Sequence, residues 1–209
     1  MTGQLLLALL LGWPMPASAV TTDVSAGAGY EAEVLYREMG LDGTIESAVF
    51  AAGYGSVEGH GLEARVLAIA DMSQPSTAKR LYILDLQTKR LVLRTFVAHG
   101  SNSGGLMAER FSNRAGSHQT SLGLYRVGRR IVSPKHGPAL LLDGLDRGVN
   151  DNARFREVII HGADYVSPDF VAAHGRLGRS WGCPAVPLED MARVIDLLGD
   201  GGLLFVYGR

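Results

Sequence analysis

The chain of 209 residues predicts a mainly β fold, a β-sandwich or barrel with a few short helices. Three observations carry that reading. Apolar runs of strand length recur from Arg65 onward, glycine is abundant at 27 residues, and helical spacing is confined to short stretches. Many short strands parted by Gly- and Ser-rich loops are the pattern of sandwiches and barrels. The length suits one domain of ordinary size, large enough for a real core.

Two short helices are expected first. Glu31 to Met39 places Val34, Leu35 and Met39 on one side, and Leu41-Asp42-Gly43 stops the run. Thr44 can cap a second helix whose apolar face uses Ile45, Val49 and Ala52. The Gly/Ala/Ser stretch ahead of them, to about Gly29, reads as a flexible lead-in. Strands follow at Val66–Ala70, Arg80–Leu86 and Arg90–Ala98, with Gln87-Thr88-Lys89 as a hairpin connection. Alternation in the second of these sends Leu81 and Ile83 to one face, and Tyr82, Leu84 and Leu86 to the other. Further strands are expected at Ser121–Val127, Ala139–Leu142 and Val158–Ile160. Asp190 to Leu198 repeats Met191, Val194, Ile195 and Leu198 at helical spacing, and Gly199 to Gly202 ends it. Leu203 to Tyr207 is apolar throughout and predicts a central strand.

The net charge of −1 gives no electrostatic ground for binding nucleic acid or an anionic membrane. Leu5 to Leu11 is almost purely apolar, Trp13, Pro14 and Pro16 break the run, and Ala17-Ser18-Ala19 follows. This predicts a signal peptide over 1–19, cleaved after Ala19, although the first four residues carry no Lys or Arg. The run is too short to anchor in a bilayer. Residues 20–64 are then linker and short helices, and 65–209 the main domain.

Cys183 is the lone cysteine. Exported proteins usually pair their cysteines, so a single one is either a buried inert thiol or a reactive one. Its setting is Arg179-Ser180-Trp181-Gly182-Cys183-Pro184-Ala185. A thiol attacks only as thiolate and needs a partner to take its proton. Val158-Ile159-Ile160 delivers His161 at a strand end, and Gly162 lets the backbone turn beside it. A histidine there suits a general base. Pro184 lacks an N–H, so oxyanion donors must come from Gly182, Cys183 or earlier residues.

His161-Gly162 followed by Gly178, Ser180, Gly182 and Cys183 resembles the signature of YkuD-type L,D-transpeptidases. The chain is closer still to the divergent branch known as the murein L,D-transpeptidase catalytic domain family. The likeness runs from about Leu81 to the C-terminus, through Leu81–Leu86, Val97-Ala98-His99-Gly100, Phe111-Ser112-Asn113, Ser121–Tyr125, Lys135-His136-Gly137 and Asn150–Ala153, and it is strongest over Gly175–Val186. It implies a β-sandwich with a cradle-like cleft and a Cys183 nucleophile. The partner is a peptidoglycan tetrapeptide stem. A Cys183 thioester forms with release of D-alanine, and the acyl group passes to an amine, giving a 3–3 cross-link, or to water, giving an L,D-carboxypeptidase. It makes His161 the base, with the Gly162 carbonyl orienting the imidazole. No histidine pair has the i, i+4 or His-x-His spacing of a zinc site, so no metal or cofactor is expected.

Trp181 stands where the commoner signature has histidine, and Pro184-Ala185 where it has an aliphatic residue followed by Arg or Asn. The substrate carboxylate therefore needs another holder. Arg176 and Arg179 are candidates, with solvated loop arginines the bland reading. His99, His136, Ser180 and Trp181 complete the substrate-binding set that the resemblance implies. His118 and His174 read as loop histidines bonded to carbonyls. The whole is an exported monomer of the periplasm or cell wall. The rival reading is a peptidoglycan-binding protein that keeps the cradle without the chemistry.

Overall fold

The computed structural model describes residues 24–199 and 201–209, so the expected signal peptide lies outside the described residues. The described residues are mainly β, with eight strands and four short helices. The helices are α1 (Val24–Glu38), α2 (Ser47–Gly59), α3 (Pro168–His174) and α4 (Leu188–Leu198). The strands are β1 (Val66–Asp71), β2 (Leu81–Asp85), β3 (Arg90–Thr95), β4 (Gly123–Ser133), β5 (Gly137–Gly144), β6 (Ile159–Ala163), β7 (Ala185–Pro187) and β8 (Leu203–Tyr207). They form one continuous sheet in the order β3-β2-β1-β8-β4-β5-β6-β7.

β8 lies inside that sheet, parallel to β1 and antiparallel to β4, which accounts for its unbroken apolar sequence. The alternation read in β2 is real on both sides. Leu81 and Ile83 enter one core with Ala68, Tyr125, Leu140 and α4, while Tyr82 and Leu84 enter another under α1 and α2. The two N-terminal helices thus cover the outer face of β1, β2 and β8.

The sheet does not stay flat. α4 packs against β1 as well as against β5, β6 and β7. Five strand spacings of about 4.8 Å would otherwise separate β1 from β7, more than twice a helix diameter. The edges also meet. Beyond β3 the chain runs onto β7, where the Ala98 N–H donates to Ala185 O at 2.8 Å. Ser180 N–H donates to His99 O at 3.1 Å and Ser101 N–H to Ser180 O at 2.8 Å. The segment leading to Cys183 is therefore stitched along the far edge of the sheet. That closure also covers the β7 edge, which would otherwise present unpaired backbone groups.

Several local expectations are corrected. α1 begins at Val24, ahead of Glu31 and inside the expected flexible lead-in. α2 begins at Ser47 after Glu46, so Thr44 is not its cap. β3 stops at Thr95, because the next residues leave β2 to reach β7. The β2–β3 hairpin manages without glycine: Lys89 itself takes φ 54°, and Asp85 Oδ1 accepts from the Thr88 N–H at 2.8 Å.

Candidate active site

β6 is buried along its whole length and carries His161 at its centre, not at its end. His161 Nδ1 lies 3.0 Å from the carbonyl oxygen of Gly162. A carbonyl only accepts, so Nδ1 carries the proton and Nε2 of the neutral ring is an acceptor. Burial pushes the imidazole down to about 4; the Gly162 carbonyl opposes this, and His136 and Lys135 add to it. The His136 ring stacks on it with centroids 3.8 Å apart. Gly162 lets α4 pack closely: a Cβ there would lie 3.1 Å from Leu188 Cδ2 and 3.2 Å from Met191 Cβ, both on α4, and would press on them.

β7 runs parallel to β6, with His161 opposite Ala185, and His161 N–H reaches Pro184 O at 3.4 Å. Cys183 precedes this pairing directly. Its turn is held by Ser180, whose Oγ accepts from the Gly182 N–H at 3.0 Å and donates to Cys183 O at 2.6 Å. Gly182 has φ 122°, and a Cβ there would lie 2.7 Å from Gln119 O, so no other residue fits the turn unstrained. Cys183 is half-buried. Its thiol is directed at Glu157 O, 3.9 Å away, and not at the imidazole. Burial pushes the thiol up; the Ile159 backbone and the Arg156 guanidinium pull the other way.

These contacts sort the residues read from sequence. The Gly182 N–H is committed to Ser180, which leaves the Cys183 N–H as the candidate oxyanion donor of that pair. Ser180 is buried and serves the turn instead of facing a ligand. His99 is also buried, not a lining residue of the cleft: its Nδ1 accepts from Arg80 Nη2 at 2.8 Å, and Arg80 is itself fully buried. Trp181 is 68% exposed at the rim, between the His118 ring stacked 4.9 Å away and Lys135 Nζ 4.5 Å from its centroid. Arg179 is exposed and donates to Ser101 O and Gly104 O, while Arg176 donates to Leu177 O. The sequence reading missed Arg156. Its guanidinium lies behind Gly182, with Nη2 3.0 Å from where a Cβ would sit.

Residues 44–207 match the family model described as the L,D-transpeptidase catalytic domain. The chain belongs to this family. Its similarity to solved members is distant. An L,D-transpeptidase from Mycobacterium smegmatis is 15% identical, with a TM-score of 0.43, over 70% of this chain and 60% of that one. The helical cell shape determining protein Pgp2 from Campylobacter jejuni is 15% identical, with a TM-score of 0.47, over 70% and 48%. L,D-transpeptidase 1 of Mycobacterium tuberculosis is 11% identical, with a TM-score of 0.40, over 70% and 63%. The chain thus spans between about half and two thirds of the length of these three. No curated protein matches. Within this L,D-transpeptidase domain, His161 stands on β6 and Cys183 lies two residues before β7, which pairs with β6 on one side and with Ala98 on the other.

Proposed function

We propose that this L,D-transpeptidase family member is an exported cysteine acyltransferase acting on peptidoglycan tetrapeptide stems. The observation that carries the reading is the His161 Nδ1–Gly162 O bond beside the strand that follows Cys183. It leaves a neutral imidazole with Nε2 free to accept, which is what a thiol nucleophile requires.

In this reading Sγ turns from Glu157 O toward the imidazole and passes its proton to His161 Nε2. The sulfur attacks the carbonyl that joins the L-centre of diaminopimelate to D-alanine. The carbonyl oxygen becomes an oxyanion facing the Cys183 N–H. Collapse breaks the C–N bond, the imidazolium protonates the leaving amine, and D-alanine departs, leaving a thioester on Cys183. An acceptor amine then attacks the thioester, His161 takes up its proton, and the thiol is restored with a new amide formed. With water in the amine's place the product is a free carboxylate, and the reaction is that of an L,D-carboxypeptidase. Trp181 and His136 offer flat surfaces at the rim, and exposed Arg179 and Lys135 offer positive charge to stem carboxylates.

Incubating the pure protein with tetrapeptide muropeptides and following D-alanine by mass spectrometry tests this. Cys183→Ser is expected to abolish release with the fold retained. His161→Ala is expected to slow it by about 10²–10⁴-fold. Absence of release by the wild-type protein, together with sedimentation on sacculi, would instead establish the non-catalytic binder.

A further inference from the structure

We infer that Arg156 is the fixed cation of the thiol site, a positioning residue that lies against the Gly182–Cys183 turn and stabilises the ionised sulfur. The inference rests on reading Cys183 as the nucleophile.

Arg156 lies in the turn between β5 and β6. Its Nη1 donates to Ser112 O at 2.8 Å and to Ser121 Oγ at 2.6 Å. Its Nη2 donates to Gln119 O at 2.6 Å and to Ser117 Oγ at 3.4 Å. Every one of these acceptors is neutral. Arg156 takes part in none of the ion pairs found among the described residues. The side chain is half-buried, and a guanidinium does not lose its proton. Partial desolvation of a charge without a counter-ion is costly, so its persistence points to an anion formed at another moment.

The site supplies that anion. The guanidinium lies against Gly182, the residue before the cysteine. The next residue, Glu157, presents its carbonyl to Sγ at 3.9 Å and holds φ 54°, a conformation a non-glycine residue rarely takes. One turn therefore fixes both the cation and the oxygen that faces the thiol. The Asn152 N–H donates to Asn113 Oδ1 at 3.1 Å, and Arg156 N–H donates to Asn152 O at 2.9 Å, so the turn is tied down.

The other titratable groups around the sulfur do not fill this role. His161 and His136 are both held toward the neutral form by burial. Glu157 and, when ionised, Tyr165 oppose a thiolate. Lys135 is exposed over the Trp181 ring, where solvent and salt screen it. Arg156 is the half-buried, immobilised positive charge in the set.

Because Cys183 is the sole cysteine, its ionisation is read directly from the pH dependence of iodoacetamide alkylation of the full chain. Arg156→Met is expected to raise the midpoint by about one unit or more, seen as roughly tenfold slower alkylation on the rising limb. Arg156→Lys is expected to keep the wild-type midpoint to within a few tenths while melting earlier, since charge stays and the fork is lost. His161→Gln is expected to leave the midpoint near wild type. An unmoved midpoint in the Met variant overturns the inference. So does a rise in His161→Gln as large as in the Met variant. Should the Met variant not fold, the folded Lys variant decides: a wild-type midpoint supports the charge role, and a rise of a full unit overturns it. The readout needs no substrate, so loss of the transpeptidase reading through absent D-alanine release would leave this result separately legible.

Discussion

The imidazole of His161 donates from Nδ1 to the Gly162 carbonyl and is held down to about 4, so it is neutral well below the ordinary histidine range and, in the proposed role, ready to accept a proton. A general base fails only when protonated. The acid limb of kcat/KM is therefore expected near pH 4, with no loss between pH 7 and 5. A limb near the ordinary histidine value of 6.5 would contradict this account of its burial. Cys183, His161 and Gly162 stood out in sequence as candidates because cysteine and histidine have few uses, and each of the three is placed at the end of an apolar run or in a glycine turn. Arg156 did not, since a turn arginine has no periodicity and its charge matters only once Gly182 is folded against it. His99 misled for the reverse reason. A histidine before glycine reads as a loop residue, and only the buried Arg80 hydrogen bond draws it inside.

Strands longer than a few residues were readable from apolar runs: β1 and β8 lie almost where Val66–Ala70 and Leu203–Tyr207 placed them. β7 was not, because three residues ending in a proline carry no alternation. α3 was also missed, although Ser167 accepts from the Phe170 N–H and Pro168 opens the helix, as capping chemistry would have it. Its length leaves no apolar stripe. α4 was read correctly as a helix, and the structure adds what it does, since it joins β1 to β7 under the closure of the sheet. Leu198→Ala, at a fully buried position facing the core, is expected to lower stability by about 2–5 kcal/mol in urea unfolding. A loss below about 0.5 kcal/mol, the usual size of a surface change, would mean that α4 does not close that core.

The molecule as a whole is a bent sheet whose far edge is sewn to the segment after β3, and Cys183 sits at the seam. None of this closure could be read from sequence, because it joins Ala98 to Ala185 across most of the domain. Two buried histidines, His99 and His161, flank the seam, and burial lowers both to about 4 from 6.5. Their folded values lie below the unfolded ones, so the unfolded chain takes up protons first as pH falls. Stability from this source is complete above about pH 6.5 and is lost toward pH 4, by about 3 kcal/mol for each group. Thermal melts should fall across that window, and His99→Gln should flatten the fall. An equal slope in the variant would remove His99 from the explanation.

The acyl-enzyme itself is the most direct test of the central claim. Intact-protein mass spectrometry after brief exposure to tetrapeptide muropeptides should show a mass increase equal to the donor less D-alanine. Digestion should map it to Cys183, and it should be absent from Cys183→Ser. A folded wild-type protein that releases D-alanine with no such adduct, or an adduct that persists in Cys183→Ser, would contradict the account.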